Sequence, residues 1–318
     1  MLLPKLSVVI PTYNRCTILR KCLVELNRQT LHPNCFEVVV CNDGSSDDTN
    51  LLLETISTPY RLISLNQSNA GPSRARNQAI RRSSGPVILF INDDSLPAPR
   101  LLELHLKRHQ EHQHREVSVL GASRIDPKQI DDYFTNFIDK MGYIFCHHGL
   151  GSSPIMTDFK HFFTCNLSVR RKALVASGLF DESYRLGSED IELGYRLHTN
   201  GWKVLYDPSL MSTHHHLHSP ESFSSMTLSR ARGHMDIIRR YPEIDFGKQL
   251  NEKLCNRIDA NGLSDVSIGL RRLVKREINQ IQRILLINGE GQRRTEVIEK
   301  LLRKRITNLF LYSTFLGR

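Results

Sequence analysis

Four short apolar runs, beginning at residues 6, 36, 60 and 87, each end in a polar loop that leads into a helical pattern. No other feature constrains the fold as strongly. The clearest run is Val87 to Ile91, five apolar residues in succession, with Gly85 and Pro86 before it and Asn92-Asp93-Asp94 after it. A continuous apolar run, rather than an alternating one, marks a strand buried on both faces of a sheet. Leu6 to Ile10 reads as a buried strand too, Phe36 to Cys41 and Tyr60 to Leu65 read as strands, and Ile18, Leu19, Cys22, Leu23 and Leu26 recur at helical spacing after the first. Strand, polar loop and helix in alternation predict βαβ units and a parallel sheet. In such sheets ligands bind in the crevice outside the carboxyl ends of the strands. Asp43, Asp93 and Asp94 all fall there. A carboxylate pair at that place suits a divalent cation or sugar hydroxyls, and an Asp there could equally be a helix cap.

The second half is read less easily. Leu101 to Arg115 predicts a helix whose His105, His109 and His112 are expected on a solvated face. From Asp126 to Lys160, Gly142, Gly149, Gly151 and Pro154 interrupt every periodicity, and a loop at the acceptor side of a site is expected. Phe162 to Val169 then reads as a strand, and a helix beginning at Glu189-Asp190 follows. Acidic residues in a first helical turn are favourable on electrostatic grounds alone. Val204 to Tyr206 reads as a last short strand, and His214, His215, His216 and His218 follow it as ligands, a proton relay or a polar loop. Ser219 to Tyr241 is expected to be helical, and beyond Pro242 the chain is basic and helix-forming. The predicted organisation is a domain over 1–242, with halves at about 1–115 and 116–242, and a basic helical extension over 243–318.

The 318 residues carry a net charge of +10, which favours anionic partners. No stretch approaches the roughly 20 apolar residues of a membrane span, and Pro4 and Lys5 break the N-terminal apolar run, so neither a span nor a signal peptide is expected. Seven scattered cysteines without a CxxC fit reduced thiols in a cytoplasmic protein. The apolar stripe of the extension is read as a packing face against the main domain or a second copy of the chain, with peripheral contact to an anionic inner membrane face as the other reading. Nucleic acid is not expected, since no reading motif is interleaved with aromatics.

Several motifs stand in one order: SVVIPTYNR at 7–15, CNDGSSDDT at 41–49, NAGPSRARN at 69–77, FINDDSLP at 90–97, CNLSVRR at 165–171, GLFDE at 178–182 and GSEDIELGYRL at 187–197. Together they resemble the family 2 glycosyltransferases with the GT-A fold, over roughly residues 5 to 218. The resemblance implies an α/β nucleotide-diphospho-sugar transferase fold, a mostly parallel twisted sheet between helices. It implies an inverting transfer of one sugar, UDP-linked donors being favoured, to a glycan, lipid-linked or small-molecule hydroxyl. Pro11, Thr12, Asn14, Asp43, Arg74 and Asp93 would hold the nucleotide, with Arg76 as a helper. Asn92-Asp93-Asp94 stands at the DxD position, with Asn in the first place; Asp94 would bind Mn²⁺ or Mg²⁺, completed by His214, or by His216 in its stead. Asp190 would be the general base, Glu189 would orient a hydroxyl, and Asn166 and Asp181 would shape the acceptor floor.

Two other classes share parts of this pattern. A sugar-phosphate nucleotidyltransferase is expected to carry a Gly-rich phosphate loop after the first strand, and PTYNR is not one. A catalytically silent nucleotide-sugar-binding protein would not need Asp43, Asp94 and Asp190 together. A processive synthase is disfavoured by the missing spans and by the absence of a Gln-x-x-Arg-Trp motif, the single tryptophan being Trp202.

Overall fold

The computed structural model describes residues 3–125, 132–145, 148–184, 187–244, 272, 275–283 and 303–308. Parts of the expected loop (126–131, 146–147) and most of the expected extension lie outside these. In chain order the elements are β1 (Leu6–Thr12), α1 (Cys16–Leu26), β2 (Phe36–Asn42), α2 (Thr49–Thr55), β3 (Arg61–Asn66), α3 (Pro72–Arg82), β4 (Val87–Ile91), β5 (Ser95–Pro97) and α4 (Leu101–Glu111). There follow β6 (Val117–Ile125), α5 (Tyr133–Lys140), β7 (Ile155–Thr157), β8 (Asn166–Arg170), α6 (Arg171–Ala176), α7 (Glu189–Thr199), β9 (Lys203–His214) and α8 (Pro220–Arg240). They fall into two compact units. The first comprises residues 1–131, 139–185 and 189–216, and the second 132–138, 186–188 and 217–318.

The first unit is built on one sheet of order β3-β2-β1-β4-β8-β6-β9-β5, with β7 added on β9. β1 to β4 run parallel; β8 joins antiparallel to β4 and β6, while β6 and β9 are again parallel. The continuous apolar runs are explained by two cores. Leu6, Val8 and Ile10 point to the side where Leu19, Leu23 and Leu26 of α1 pack. Val9 and Val39 point to the other, against Ala75, Ala79 and Ile80 of α3. A strand covered on both faces has no place for alternating polar residues.

Register decides what meets at the strand ends. Val9 lies opposite Phe90, so three residues on Thr12 comes level with Asp93. Thr12 is also opposite Asn42, one residue before Asp43. Ile91 faces Asn166, which sets the Thr164-Cys165 segment beside Asn92. Ser95 faces His214, and the His215 N–H donates to the Asp94 carbonyl at 2.8 Å. β9 is far longer than the strand expected over Val204 to Tyr206. Its polar second half pairs with β6 again after a register shift at Gly121/Ala122, and Asp207 is buried under Arg108 at 2.6 Å. The strand expected at Phe162 begins only at Asn166, after a single turn of helix at Phe159–His161.

The histidines of α4 are a correction. His105 and His109 are buried, not solvated. His105 Nδ1 and His109 Nε2 each lie 2.8 Å from Ser168 Oγ, and His105 Nε2 lies 3.0 Å from Asn166 Oδ1. Burial pushes their pKa values down to about 4 and about 3, so both are neutral hydrogen-bonding groups of the core.

Within the second unit, α8 occupies the stretch expected to be helical. It starts with a reciprocal cap between Ser219 and Ser222, and its Phe223 packs edge-on against Phe134. In the described part of the extension, Glu277 is fully buried, with Arg276 and Arg305 each at 3.2 Å. No helix among the described residues is long and apolar enough to cross a membrane.

Candidate active site

The polar loops at the carboxyl ends of β1, β2 and β4 are tied to one another. Asn14 has a positive φ of 53°; its N–H donates to Ser45 Oγ at 2.8 Å and its Oδ1 accepts the Ser46 N–H at 2.7 Å. Asp43 Oδ1 accepts from Gln67 Nε2 at 2.7 Å and from the Ala70 N–H at 2.8 Å, and Oδ2 accepts the Gly71 N–H at 2.8 Å. Asp43 therefore holds the turn entering α3. Gly44 is required beside it: at φ +79°, a Cβ would come within 2.8 Å of the Asn69 amide nitrogen. Pro11 lies within β1, half-buried. Arg74, expected at the nucleotide, is half-exposed, 4.0 Å from Glu182 Oε2.

Asp93 and Asp94 are both buried. Thr12 Oγ1 donates to Asp93 Oδ2 at 2.8 Å. Arg15 Nη1 lies 2.8 Å from Asp94 Oδ2 and 3.3 Å from Asp93 Oδ1. His214 Nε2 lies 2.9 Å from Asp94 Oδ1 without hydrogen-bond alignment, and His216 Nδ1 lies 3.3 Å from Oδ2. Burial acts to raise both carboxyls. For Asp94 the neighbouring His214, His216 and Arg15 outweigh it and hold the group well below the usual range. For Asp93 burial wins, with ionised Asp94 adding to it, and the pKa rises to about 7.

A second carboxylate pair stands at the start of α7. Glu189 is buried and paired with buried Arg76 at 2.8 Å, and the Arg76 guanidinium lies 5.6 Å from the centre of the Phe180 ring. Glu189 Oε2 and Arg76 Nε, both buried, have no hydrogen-bond partner. Asp190 is half-buried. Its Oδ1 accepts the Ile191 N–H at 2.9 Å and its Oδ2 the Thr164 N–H at a long 3.4 Å. Burial and then Glu189 push its pKa up to about 6, against Arg76.

The structure thus groups Thr12, Asp93, Asp94, His214 and His216, and separately Glu189, Asp190 and Arg76. Thr164 links the two groups: it belongs to the segment beside Asn92, and its N–H points to Asp190 Oδ2. Asn166 is not on an acceptor floor. It is fully buried, its Nδ2 donates to the Ala122 and Leu210 carbonyls at 3.1 and 2.9 Å, and its Oδ1 faces His105. No face of it is left for a sugar. Asp181 sits in a tight turn, accepting the Ser183 N–H at 2.8 Å. Arg15, which closes the PTYNR motif and is not among the residues expected at the site, joins the first group through its contacts with Asp93 and Asp94; Arg76, expected as a helper at the nucleotide, is paired with Glu189.

Among the described residues no three His, Cys, Asp or Glu side chains form a ready metal cluster. The site still fits a divalent cation. A carboxylate and an imidazole are suitable Mn²⁺ ligands, and such ions take their remaining ligands from water and substrate phosphates. Asp94 Oδ1, buried and without a hydrogen-bond donor, is the kind of atom a cation would satisfy.

Residues 7–174 match the sequence profile of glycosyl transferase family 2. An uncharacterized glycosyltransferase, YfnE, of Bacillus subtilis (strain 168) is 31% identical over 253 residues, covering 66% of this chain and 64% of that protein. A validoxylamine A glucosyltransferase of Streptomyces hygroscopicus subsp. limoneus is 31% identical over 220 residues, 62% of this chain and 49% of that one. The chain thus spans between half and two thirds of the length of these relatives. Among solved structures, a mannosyltransferase from Pyrobaculum calidifontis in complex with GDP-Man and Mn²⁺ superposes with a TM-score of 0.57 at 19% identity, covering 77% of this chain and 66% of that one. At that identity the likeness speaks for the fold.

Proposed function

Since the chain belongs to glycosyl transferase family 2, we propose that it transfers one sugar, with inversion, from a nucleoside diphosphate sugar to a hydroxyl acceptor. The observation that supports this best is the presence of two carboxylate pairs, one at the carboxyl end of β4 and one at the start of α7. One is surrounded by an arginine and two histidines. The other leaves Asp190 partly open, with a raised pKa. The first suits a leaving diphosphate and the second suits a base.

In the proposed reaction Asp190 takes the proton of the acceptor hydroxyl. The freed oxygen attacks the anomeric carbon opposite the diphosphate, and the bond to the diphosphate oxygen breaks with its electron pair leaving on that oxygen. Glu189, fixed by Arg76, keeps Oε2 available for a sugar hydroxyl. Thr12 orients Asp93 toward the ribose, and Asp43 uses its remaining lone pairs for an N–H of the base, UDP being the expected nucleotide. A divalent cation at Asp94, with a histidine of the 214–216 segment, would supply neutralising charge for the diphosphate. The acceptor class is a glycan, lipid-linked or small-molecule hydroxyl; one relative is named for validoxylamine A.

The test is thermal shift of the full chain against UDP, GDP and dTDP, each with Mn²⁺, Mg²⁺ or chelator. UDP is expected to raise Tm only when metal is present; at 100 times Kd a ligand adds about 2.7 kcal/mol to stability. A shift of equal size in chelator overturns the metal role. No shift with any nucleotide overturns the donor site.

A further inference from the structure

Resting on that reading, we propose that Arg15 is a built-in cation that occupies the metal position of the donor-free protein, so that a divalent metal must displace it to bind. Asp94 Oδ2 at 2.8 Å and Asp93 Oδ1 at 3.3 Å both face Arg15 Nη1. His216 Nδ1 lies 2.6 Å from Arg15 Nη2. A guanidinium has five donors and no acceptor. His216 Nδ1 must therefore present its lone pair to the arginine, and in that arrangement it does not donate to Asp94. Two carboxylate oxygens and an imidazole nitrogen thus converge, all as electron-pair donors, on a single positive group. That is the ligand chemistry of a divalent cation site, here filled by the side chain that ends the PTYNR motif.

The arginine is also built to leave. Its side chain is 33% exposed, against 6% for Arg76. It lines a cavity of about 380 Å³ together with Asn14, Lys21, Asp47 and His215. Asp47 offers a second carboxylate there, so a displaced guanidinium keeps an anionic neighbour. The consequence is ordered loading. Metal alone competes poorly with a tethered cation, whereas metal arriving with a diphosphate gains further ligands and wins. Arg15 then acts as a positioning residue that couples metal binding to donor binding.

The experiment is calorimetric titration of the full chain with MnCl₂, alone and in the presence of UDP or GDP. The wild type is expected to bind Mn²⁺ at least about tenfold more tightly with nucleotide, because a site held in its competent form a tenth of the time loses that factor. Arg15→Ala is expected to bind Mn²⁺ without nucleotide at least about tenfold more tightly than wild type. Lys21→Ala, which removes a nearby positive charge outside the carboxylate pair, is expected to stay within about twofold. The double variant Arg15→Ala/His216→Gln is expected to lose the gain. An Arg15→Ala protein that is folded by circular dichroism yet binds Mn²⁺ no more tightly overturns the proposal, and so does an equal gain in Lys21→Ala. Absence of Mn²⁺ binding in every variant even with nucleotide overturns the metal site itself, a result separable from either.

Discussion

The two carboxylate pairs share a plan and differ in how their arginine is held. Each places two adjacent acidic residues at a strand end or a helix start, sets an arginine beside them, and leaves one of the two with a raised pKa. At Asp93-Asp94 the arginine is a third exposed and contacts both carboxylates. At Glu189-Asp190 it is buried, contacts only Glu189, and stacks near Phe180. A buried ion pair is a fixed part of the fold, because neither partner can return to water. At the first pair the carboxylates are buried but the arginine is a third exposed, so its own charge can return to water when the pair opens. In the proposed reaction the permanent counter-charge would belong to the station assigned to orienting and deprotonation, and the removable one to the station assigned to the metal and diphosphate.

The largest expected effect lies at the second station. Asp190→Asn should reduce turnover by about 10² to 10⁴, the usual worth of a positioned base, while UDP affinity is retained. It should also raise Tm above pH 6. Asp190 has a folded pKa raised to about 6, so its contribution to stability is present at low pH and is lost as pH rises through that value; an amide removes the loss. Near-normal turnover in a nucleotide-release assay would remove Asp190 from the base role.

The next effect breaks the comparison directly. Arg76→Ala leaves Glu189 buried without its partner and should cost about 3–5 kcal/mol in urea unfolding. Arg15→Ala should cost clearly less than that, since Asp94 keeps two histidines and Asp93 keeps Thr12. Equal costs would mean that the two arginines do the same structural work and that Arg15 is not a removable cation.

How far the sequence could be read follows from the same physics. Val87–Ile91 matches the sequence reading to the residue and the other three parallel strands match to within two at either end; β1, β2 and β4 are covered on both faces and need apolar runs, whereas β3 lies at the sheet edge, partly exposed, and is legible from its place in the strand–loop–helix alternation. β9 was seen only in its first part. The run Asp207 to His214 is polar by composition, and it stays in the sheet through partners such as Arg108, 99 positions away. His105 and His109 misled for the same reason: a helix face of histidines looks solvated until Ser168 and Asn166, about 60 positions on, supply their hydrogen bonds. The strand-end carboxylates were legible because local order alone places Asp43, Asp93 and Asp94 at the ends of β2 and β4. The arginines were not. Arg76 and Glu189 are 113 positions apart, and Arg15 and His216 are 201 apart, so only the sheet register brings them together.

The smallest effect concerns pH and isolates what Glu189 does to its neighbour. If Asp190 is the base, kcat/KM should fall as pH drops below about 6, where the carboxylate takes up a proton. Burial is the larger cause of that raised value and the charge of Glu189 the second, while Arg76 opposes both. Glu189→Gln removes the like charge and leaves Arg76 unopposed, and both changes favour ionised Asp190. The acid limb should therefore move below 6, and the plateau should fall modestly because a weaker base accepts the proton less readily. A limb that stays in place would assign it to a group other than Asp190. A limb that moves up would mean that Arg76 follows Glu189 out of the site, contrary to the buried position it holds above Phe180.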